Sequence, residues 1–405
     1  MNHFPLIIDA IRTPRGRGNA KGALAQITPA ALLAQHMQAL LARTPIDSAR
    51  IQDTFIGCVN QTGEQGSNIG KLAAVLAGWS DTVPALTLNR FCTSGLSAVQ
   101  LGAQQVLAHE GFAVAGGVEM MSRVPLGADQ GPLVGDLRLQ QRARVVPIGI
   151  AADTVATLEG FSREACDDYA LASQQRALAA RAQGWLSSVV PVQPEVPGPD
   201  AAPVLSVDET PRESTTAASL ARMPAAFAAM GAEQGWDALM CSAYGLAQVD
   251  HVHHAGNAPA TADGASLVLL GSLQAVARHR LKVRARIVAN AITSVDHTLA
   301  LTGAVNATRM ALSRAQLSVA DIDLFEVNES FAALMLHYMK HLGISHAQLN
   351  VNGGAIALGH AMGSTGSALL GTLLDELERR DLRRGVVAVC GATGVAAAMV
   401  IERLR

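Results

Sequence analysis

The chain has 405 residues, 49% hydrophobic and 16% charged, which excludes a disordered protein and leaves room for two to three domains. Lys plus Arg number 31 against 33 Asp plus Glu, so there is no global basic field and no nucleic-acid partner is expected. Aromatics are only 3% and glycines number 37, so the core must be small aliphatic side chains in closely approaching layers.

No apolar run reaches the roughly 18 residues of a membrane span. The first residues do not read as a signal peptide, and Glu402-Arg403-Leu404-Arg405 is no peroxisomal tripeptide. A cytoplasmic protein is expected. The cysteines Cys58, Cys92, Cys166, Cys241 and Cys390 are odd in number and widely spaced, without a C-x-x-C pair. That argues for a reducing compartment and against a disulfide or zinc framework.

Strands and helices alternate in the first third. Leu6 to Ala10 reads as a buried strand. Thr28-Pro29 is an N-cap followed by proline at the first helical position, opening a helix to about Ala42. A strand over 54–59, a helix over 68–78, a strand over 85–91, a helix over 94–109 and a strand over 112–118 follow. This rhythm implies a largely parallel sheet with helices on its faces. Residues from about 122 to 254 break it. Helices are expected over 149–159 and from Arg163 to Gly184, with Ser162 as N-cap. The stretch Val189 to Pro199 holds four prolines in nine residues and excludes a central strand or helix. Its neighbours Arg138, Arg142, Arg144, Arg212 and Arg222 are local cations. The last third resumes with strand 283–293, helix 304–315, strand 322–327, helix 330–342, strand-like 349–351, helix 363–380 and strands 386–390 and 395–402. Ser97-Ala98 and Ser367-Ala368 lie in matching small-residue helices before matching strands, which implies a duplicated unit.

Cys92 follows a β-rich run and precedes a helix of small residues. A cysteine at a helix N terminus feels the positive end of the dipole, which lowers a thiol's pKa. On its own it reads equally as a core cysteine at a strand end. His360 sits among the glycines of Asn352 to Ser367, where it can serve as a general base or be a histidine satisfied in a tight turn. Cys390 ends a buried strand before Gly391-Ala392-Thr393-Gly394. Asn328 ends another and carries an amide able to hold a water or a carbonyl oxygen. All four lie at or just past carboxyl ends of strands, where open α/β sheets gather their ligands. His251, His253 and His254, and the pair His337 and His341, lack a completing ligand at motif spacing and are read as structural, with no metal site expected. No Gly-x-Gly-x-x-Gly follows the first strand, so no nicotinamide cofactor is expected.

Taken together these segments resemble the thiolase family. Asn89-Arg90-Phe91-Cys92-x-Ser94-Gly95 is similar to the family's nucleophile segment and Asn328-Glu329-Ser330-Phe331 to its Asn-Glu-Ala-Phe segment. Asn350 to His360 is similar to its histidine signature, and Cys390-Gly391-Ala392 to its Cys-x-Gly segment. The similarity runs from end to end in order. It implies an α/β duplicated thiolase fold, two βαβαβαββ halves packed as αβαβα layers, with an inserted loop domain. The expected division is 1–121 plus 255–276 for the first half, 122–254 for a CoA-binding loop domain and 277–405 for the second half, in a homodimer or homotetramer. It also implies reversible cleavage of 3-oxoacyl-CoA by CoA, with coenzyme A as substrate and no permanently bound cofactor. Cys92 would be the nucleophile, His360 its base, Cys390 the acid and base at the enolate, and Asn328 the holder of a water. Backbone N–H groups of Cys92 and Ala392 would form the oxyanion hole, and Arg222, Ala258 and Pro259 would contact CoA.

The chain departs from the family at Ala361, where Gly-His-Pro is usual, and at Ala392, where a glycine is usual and alanine would be strained if φ is positive. A serine near the pantetheine is replaced by Pro259. These departures leave two alternatives beside an active thiolase: an impaired acyl-CoA-binding paralogue, and a ketosynthase-like condensing enzyme, which would lack a second catalytic cysteine. A Cys-His hydrolase is a further idea.

Overall fold

The computed structural model describes residues 4–196 and 202–404; Pro197, Gly198 and Pro199 of the proline-rich stretch, and Arg405 of the carboxyl-terminal tetrapeptide, lie outside the described residues. The first third forms β1 (Leu6–Arg12), α1 (Pro29–Arg43), β2 (Ile51–Gly57), α2 (Ile69–Leu76), β3 (Leu86–Leu88), α3 (Ser94–His109) and β4 (Phe112–Met120). The middle carries α4 (Ile148–Glu159) and α5 (Arg163–Gln183), then strand β5 (Ala262–Gly271). The last third forms β6 (Ala285–Ser294), α6 (Gly303–Ala315), β7 (Leu324–Val327), α7 (Ala332–Leu342), α8 (Met362–Arg379), β8 (Arg384–Cys390) and β9 (Val395–Arg403).

Local chemistry sets several of these bounds. Thr28 Oγ1 accepts the Ala31 N–H at the start of α1, with Pro29 in the first turn. Ser162 Oγ accepts the Ala165 N–H at the start of α5, and Gly184 ends that helix in the left-handed region (φ 61). Leu349 forms only an isolated parallel bridge to Phe325 rather than a strand.

The strand order is β3-β2-β4-β5-β1-β6-β9-β8-β7. The two halves are copies: β3-β2-β4-β5-β1 on one side and β7, β8, β9 and β6 on the other, meeting where Leu6 and Ile7 pair with Arg286 and Ala285. The sheet is mixed, not largely parallel. β2 pairs in parallel with β3 and β4, and β7 with β8, but β5 and β9 run against their neighbours. The reason is connectivity. β8 and β9 are a hairpin joined by four residues, and a hairpin must be antiparallel. β4 and β5 are the same hairpin, closed by the Met120–Asp263 pair, with the whole middle segment inserted in its turn.

Five layers result. Leu32, Leu33 and Met37 of α1 pack against Val114 and Leu267 of the first sheet. Leu96 and Val99 of α3 and Leu370 and Leu373 of α8 fill the space between the sheets, against Ile7, Val387 and Met399. Ala307 and Ala311 of α6 and Tyr338 of α7 cover the outer face with Phe325 and Val400. The inner strands are buried on both faces, which is why Val386 to Val389 reads as an unbroken apolar run. Among the described residues no single helix is long and apolar enough to cross a membrane.

His36 of α1 is buried, and burial pulls its pKa down to about 4. In the unfolded chain it titrates near the ordinary histidine value of about 6.5. Its neutral form therefore stabilises the fold above that value, and the stability is lost as pH falls toward about 4. The slope for one such group is about 1.4 kcal/mol per pH unit. Urea midpoints measured between pH 7 and 4.5 should fall less steeply in His36→Leu than in the wild type; parallel curves would remove His36 as a source of acid lability.

Candidate active site

Cys92 stands two residues before α3 on a turn built by its neighbours. Asn89 Oδ1 accepts the Phe91 N–H at 2.8 Å. Ser94 Oγ accepts the Arg90 N–H at 2.8 Å and donates to the Phe91 carbonyl at 2.6 Å. These bonds hold Phe91 at φ 49, in the left-handed region. Such a strained residue is kept only where its surroundings over-determine it. His360 stands two residues before α8, the corresponding place in the second half. The first turns of α3 and α8 touch backbone to backbone. A side-chain carbon at Gly95 would lie 2.6 Å from the Gly363 carbonyl oxygen, and one at Gly366 would lie 2.6 Å from the Leu96 nitrogen, so only glycine fits. That contact brings the Cys92 and His360 segments into one region.

Cys390 reaches the same region from the end of β8. A side chain on Gly391 would sit 3.2 Å from Phe91 Cβ and 3.4 Å from the Cys92 nitrogen. The turn after Cys390 therefore lies against the turn that carries Cys92. The left-handed residues of this turn are Thr393 (φ 57) and Gly394 (φ 85); Ala392 is not among them, so the strain expected there does not arise.

The electrostatics correct one expectation. The Cys92 thiol is not acidified by its helix. Burial pushes its pKa up to about 12, and proximity to Cys390 adds to the rise, while the backbone N–H groups of Cys92 and Ala392 oppose it. Burial likewise pushes Cys390 up to about 11, with the Ser330 hydroxyl opposing. His360 goes the other way, down to about 3, through burial and the nearby Arg15 guanidinium. Burial is the largest cause of all three shifts, because it disfavours charge. These directions favour a thiol and a neutral imidazole at rest. His360 Nδ1 lies 2.9 Å from Thr365 Oγ1, and Nε2 is buried with no protein partner. With Nδ1–H donating to Thr365, Nε2 is left as the free base.

Asn328 is buried at the end of β7. Its Nδ2 donates to Ser330 Oγ at 3.1 Å, and its Oδ1 is buried without a protein partner. Ser330 Oγ in turn lies 3.2 Å from Cys390 Sγ. Glu329 beside them is buried and accepts from Tyr169 and Ser173 of α5, at 2.9 and 2.7 Å, and from the Ile356 N–H at 2.9 Å. One carboxylate thus joins the middle segment, the Asn328 turn and the glycine-rich loop that ends at His360. Thr365, Ser330 and Arg15 received no role from the sequence; the one available signal was that Ser330 replaces the alanine of the Asn-Glu-Ala-Phe pattern.

The expected CoA contacts divide. Ala258 and Pro259 are half-buried and precede Ala260, whose carbonyl accepts the His360 N–H at 2.9 Å. Arg222 is exposed at the end of the short helix Ala217–Ala221. His251 and His253 both bond Asp153 at 2.7 Å, and His254 bonds Asp167 at 2.7 Å, so these three tie the middle segment together.

The thiolase N-terminal domain model matches residues 6–237 and the thiolase C-terminal domain model residues 281–403. The chain belongs to the thiolase family. It is 39% identical over 410 residues to a 3-ketoacyl-CoA thiolase of Serratia proteamaculans, covering 98% of this chain and 99% of that one. It is 35% identical over 420 residues to a beta-ketoadipyl-CoA thiolase of Acinetobacter baylyi, with the same coverage. The crystal structure of human mitochondrial 3-ketoacyl-CoA thiolase superposes with a TM-score of 0.87 at 30% identity, covering 100% of this chain and 99% of that one.

Two outcomes follow. Carbamidomethylation of Cys92 by iodoacetamide should rise about tenfold per pH unit from pH 7 to 9 without a plateau; a plateau near pH 6 would show a resting thiolate and refute the neutral pair. Ser330→Ala should fold normally, leave that profile unchanged and raise the alkylation pKa of Cys390. Losing one hydrogen bond of ordinary strength slows steps through Cys390 roughly 2- to 10-fold. An unchanged Cys390 profile would dismiss the serine.

Proposed function

We propose that the chain is an acyltransferase that cleaves 3-oxoacyl-CoA with CoA, reversibly, through an acyl group on Cys92. The observation that carries this reading is the packing of the Cys390 turn on the Cys92 turn, with an unshared His360 Nε2 and an unshared Asn328 Oδ1 in the same family-matched site.

His360 Nε2 takes the Cys92 proton as the sulfur attacks the 3-keto carbon. Proton transfer and attack go together, because neither a free thiolate nor an imidazolium is favoured in the dry site. The C2–C3 bond then breaks, leaving Cys92 acylated and an acetyl-CoA enolate, which Cys390 protonates. The resulting Cys390 thiolate takes the proton of a second CoA thiol. That CoA attacks the acyl-Cys92 carbonyl, and Cys92 leaves and recovers its proton from His360. The N–H groups of Cys92 and Ala392 stabilise the tetrahedral oxygen, a donor type whose loss costs about 10²–10³ in rate. Asn328 Oδ1 accepts from a water that donates to the enolate oxygen. No permanently bound cofactor is needed, since CoA is itself the substrate.

CoA lies on the 122–254 loop domain, between the halves 1–121 plus 255–276 and 277–405. Its thioester arm passes Ala258 and Pro259 toward His360. A role in fatty-acid β-oxidation fits the relatives' names, and a cytoplasmic homo-oligomer belongs to the same reading. Dimer formation is supported by the sheet edge: β3 is the outermost strand with Leu86 exposed, and Leu72, Val75 and Leu76 are exposed on α2 beside it. The second cysteine against the nucleophile turn favours this reading over a ketosynthase-like enzyme. Pro259 in place of a hydroxyl is what speaks for an acyl-CoA-binding paralogue.

A thiolysis panel over 3-oxoacyl-CoAs of rising length, branched and dicarboxylic ones included, decides between them. The wild type should consume substrate only with CoA present. Cys92→Ala should lose about 10⁴-fold or more. Cys390→Ala should still acylate Cys92 from acyl-CoA yet lose carbon–carbon cleavage. No CoA-dependent turnover by a folded chain whose Cys92 still alkylates would favour the binding role, and water as acceptor would favour a hydrolase.

A further inference from the structure

The sequence placed His337 and His341 on one face of a helix but offered no third ligand. The fold supplies one. Glu159, the last residue of α4, meets both rings: His337 Nδ1 lies 2.9 Å and His341 Nε2 2.7 Å from its Oε1. The three ligand atoms lie within 4.8 Å of one another. We propose that Glu159, His337 and His341 form a binding site for a divalent transition-metal cation of the zinc type, clasping α4 of the inserted segment to α7 of the second half.

The donor set selects the cation. Two imidazoles and one carboxylate suit zinc and its neighbours, whereas calcium and magnesium need all-oxygen shells. The geometry is nearly in place. Tetrahedral bonds of about 2.0–2.1 Å set ligand atoms about 3.3 Å apart. The two nitrogens need to retreat from Oε1 by only about half an ångström, a small side-chain adjustment. A water can fill the fourth position. Glu159 and His341 both lie in the last turn of their helices, α4 ending at Gly160 and α7 at Gly343, and a helix C terminus favours a cation.

One group opposes binding. Lys340 Nζ lies 2.7 Å from Glu159 Oε2 and also stands 5.5 Å over the Phe161 ring. Its charge repels a metal but its bond uses the other carboxylate oxygen, so Oε1 stays available. This predicts a gain as well as losses. None of the four residues shares a hydrogen bond with Cys92, His360 or Cys390, and the proposal stands apart from the reading of the active site.

The test is calorimetric titration of the full chain with ZnCl₂ after blocking its accessible thiols with iodoacetamide, with Co²⁺ absorption as a second readout. The wild type should take up one Zn²⁺ per chain, and its thermal midpoint should rise with added Zn²⁺. His337→Ala and Glu159→Gln should each weaken binding by at least the roughly 10- to 100-fold that loss of an outer-shell partner costs. Lys340→Met, which keeps all three ligands, should bind more tightly than the wild type. Metal-free thiolysis should be the same in all of them. No saturable Zn²⁺ uptake by the wild type, or equal affinity in the double variant His337→Ala/His341→Ala, would overturn the proposal. In that case the cluster is a hydrogen-bonded ion pair and nothing more.

Discussion

The contact between the first turns of α3 and α8 is the constraint on which the molecule rests. Two helices lie between two sheets, and their N-terminal turns meet through Gly95, Gly363 and Gly366 with no room for a side chain. Glu119, at the end of β4, locks this meeting. One of its oxygens accepts the Val59 and Gly363 N–H groups at 2.9 and 3.0 Å, and the other accepts from Asn60 and Gln65 at 3.1 and 2.9 Å. Gly363 N–H is one of the donors that a helix start leaves unpaired, so a buried carboxylate caps α8 where its dipole is most positive. The Cys92 segment precedes one helix and the His360 segment the other, so both stand where the two halves of the chain meet backbone to backbone.

Burial then decides the state of the site. Cys92 and Cys390 are pushed up and His360 is pushed down, all toward neutrality. A dry site of this kind stores no charge at rest and meets charge only as it develops on the reacting carbonyl. Preformed donors are then worth more than they would be in water. The same dryness explains the hydrogen-bonded chain from Asn328 through Ser330 to Cys390, and the bond from His360 to Thr365. Each side chain is held in one orientation by a neighbour that the sequence does not mark as reactive.

Much of the fold was legible because its signals are local. The Ser162 cap and Gly184 stop bound a helix within the segment itself, and apolar runs marked β6, β8 and β9. No strand was assigned over 262–271, where Asp263, Gly264 and Ser266 interrupt the apolar run. In the structure Asp263 is buried and its Oδ1 accepts the Ser122 N–H at 2.9 Å, and Ser266 Oγ donates to the Ser364 carbonyl at 2.6 Å, so distant parts of the chain partner these polar side chains. The direction of β5 and β9 was missed for a related reason. A regular alternation of strand and helix does not reveal that a hairpin has been opened by about 140 residues of insertion.

The sequence by itself marked most of the elements and the duplication, because caps, periodicity and short motifs act over a few residues. Only the tertiary structure decided that the Cys92 thiol is raised rather than lowered, that Ala392 escapes a left-handed conformation, that Ser330 attends Cys390, and that Glu159 meets His337 and His341. Those outcomes depend on desolvation and on contacts between residues far apart in the chain, such as Arg15 and Ser364, 349 positions apart and 2.7 Å from each other. Both are properties of the packed molecule, and no local stretch of sequence encodes them.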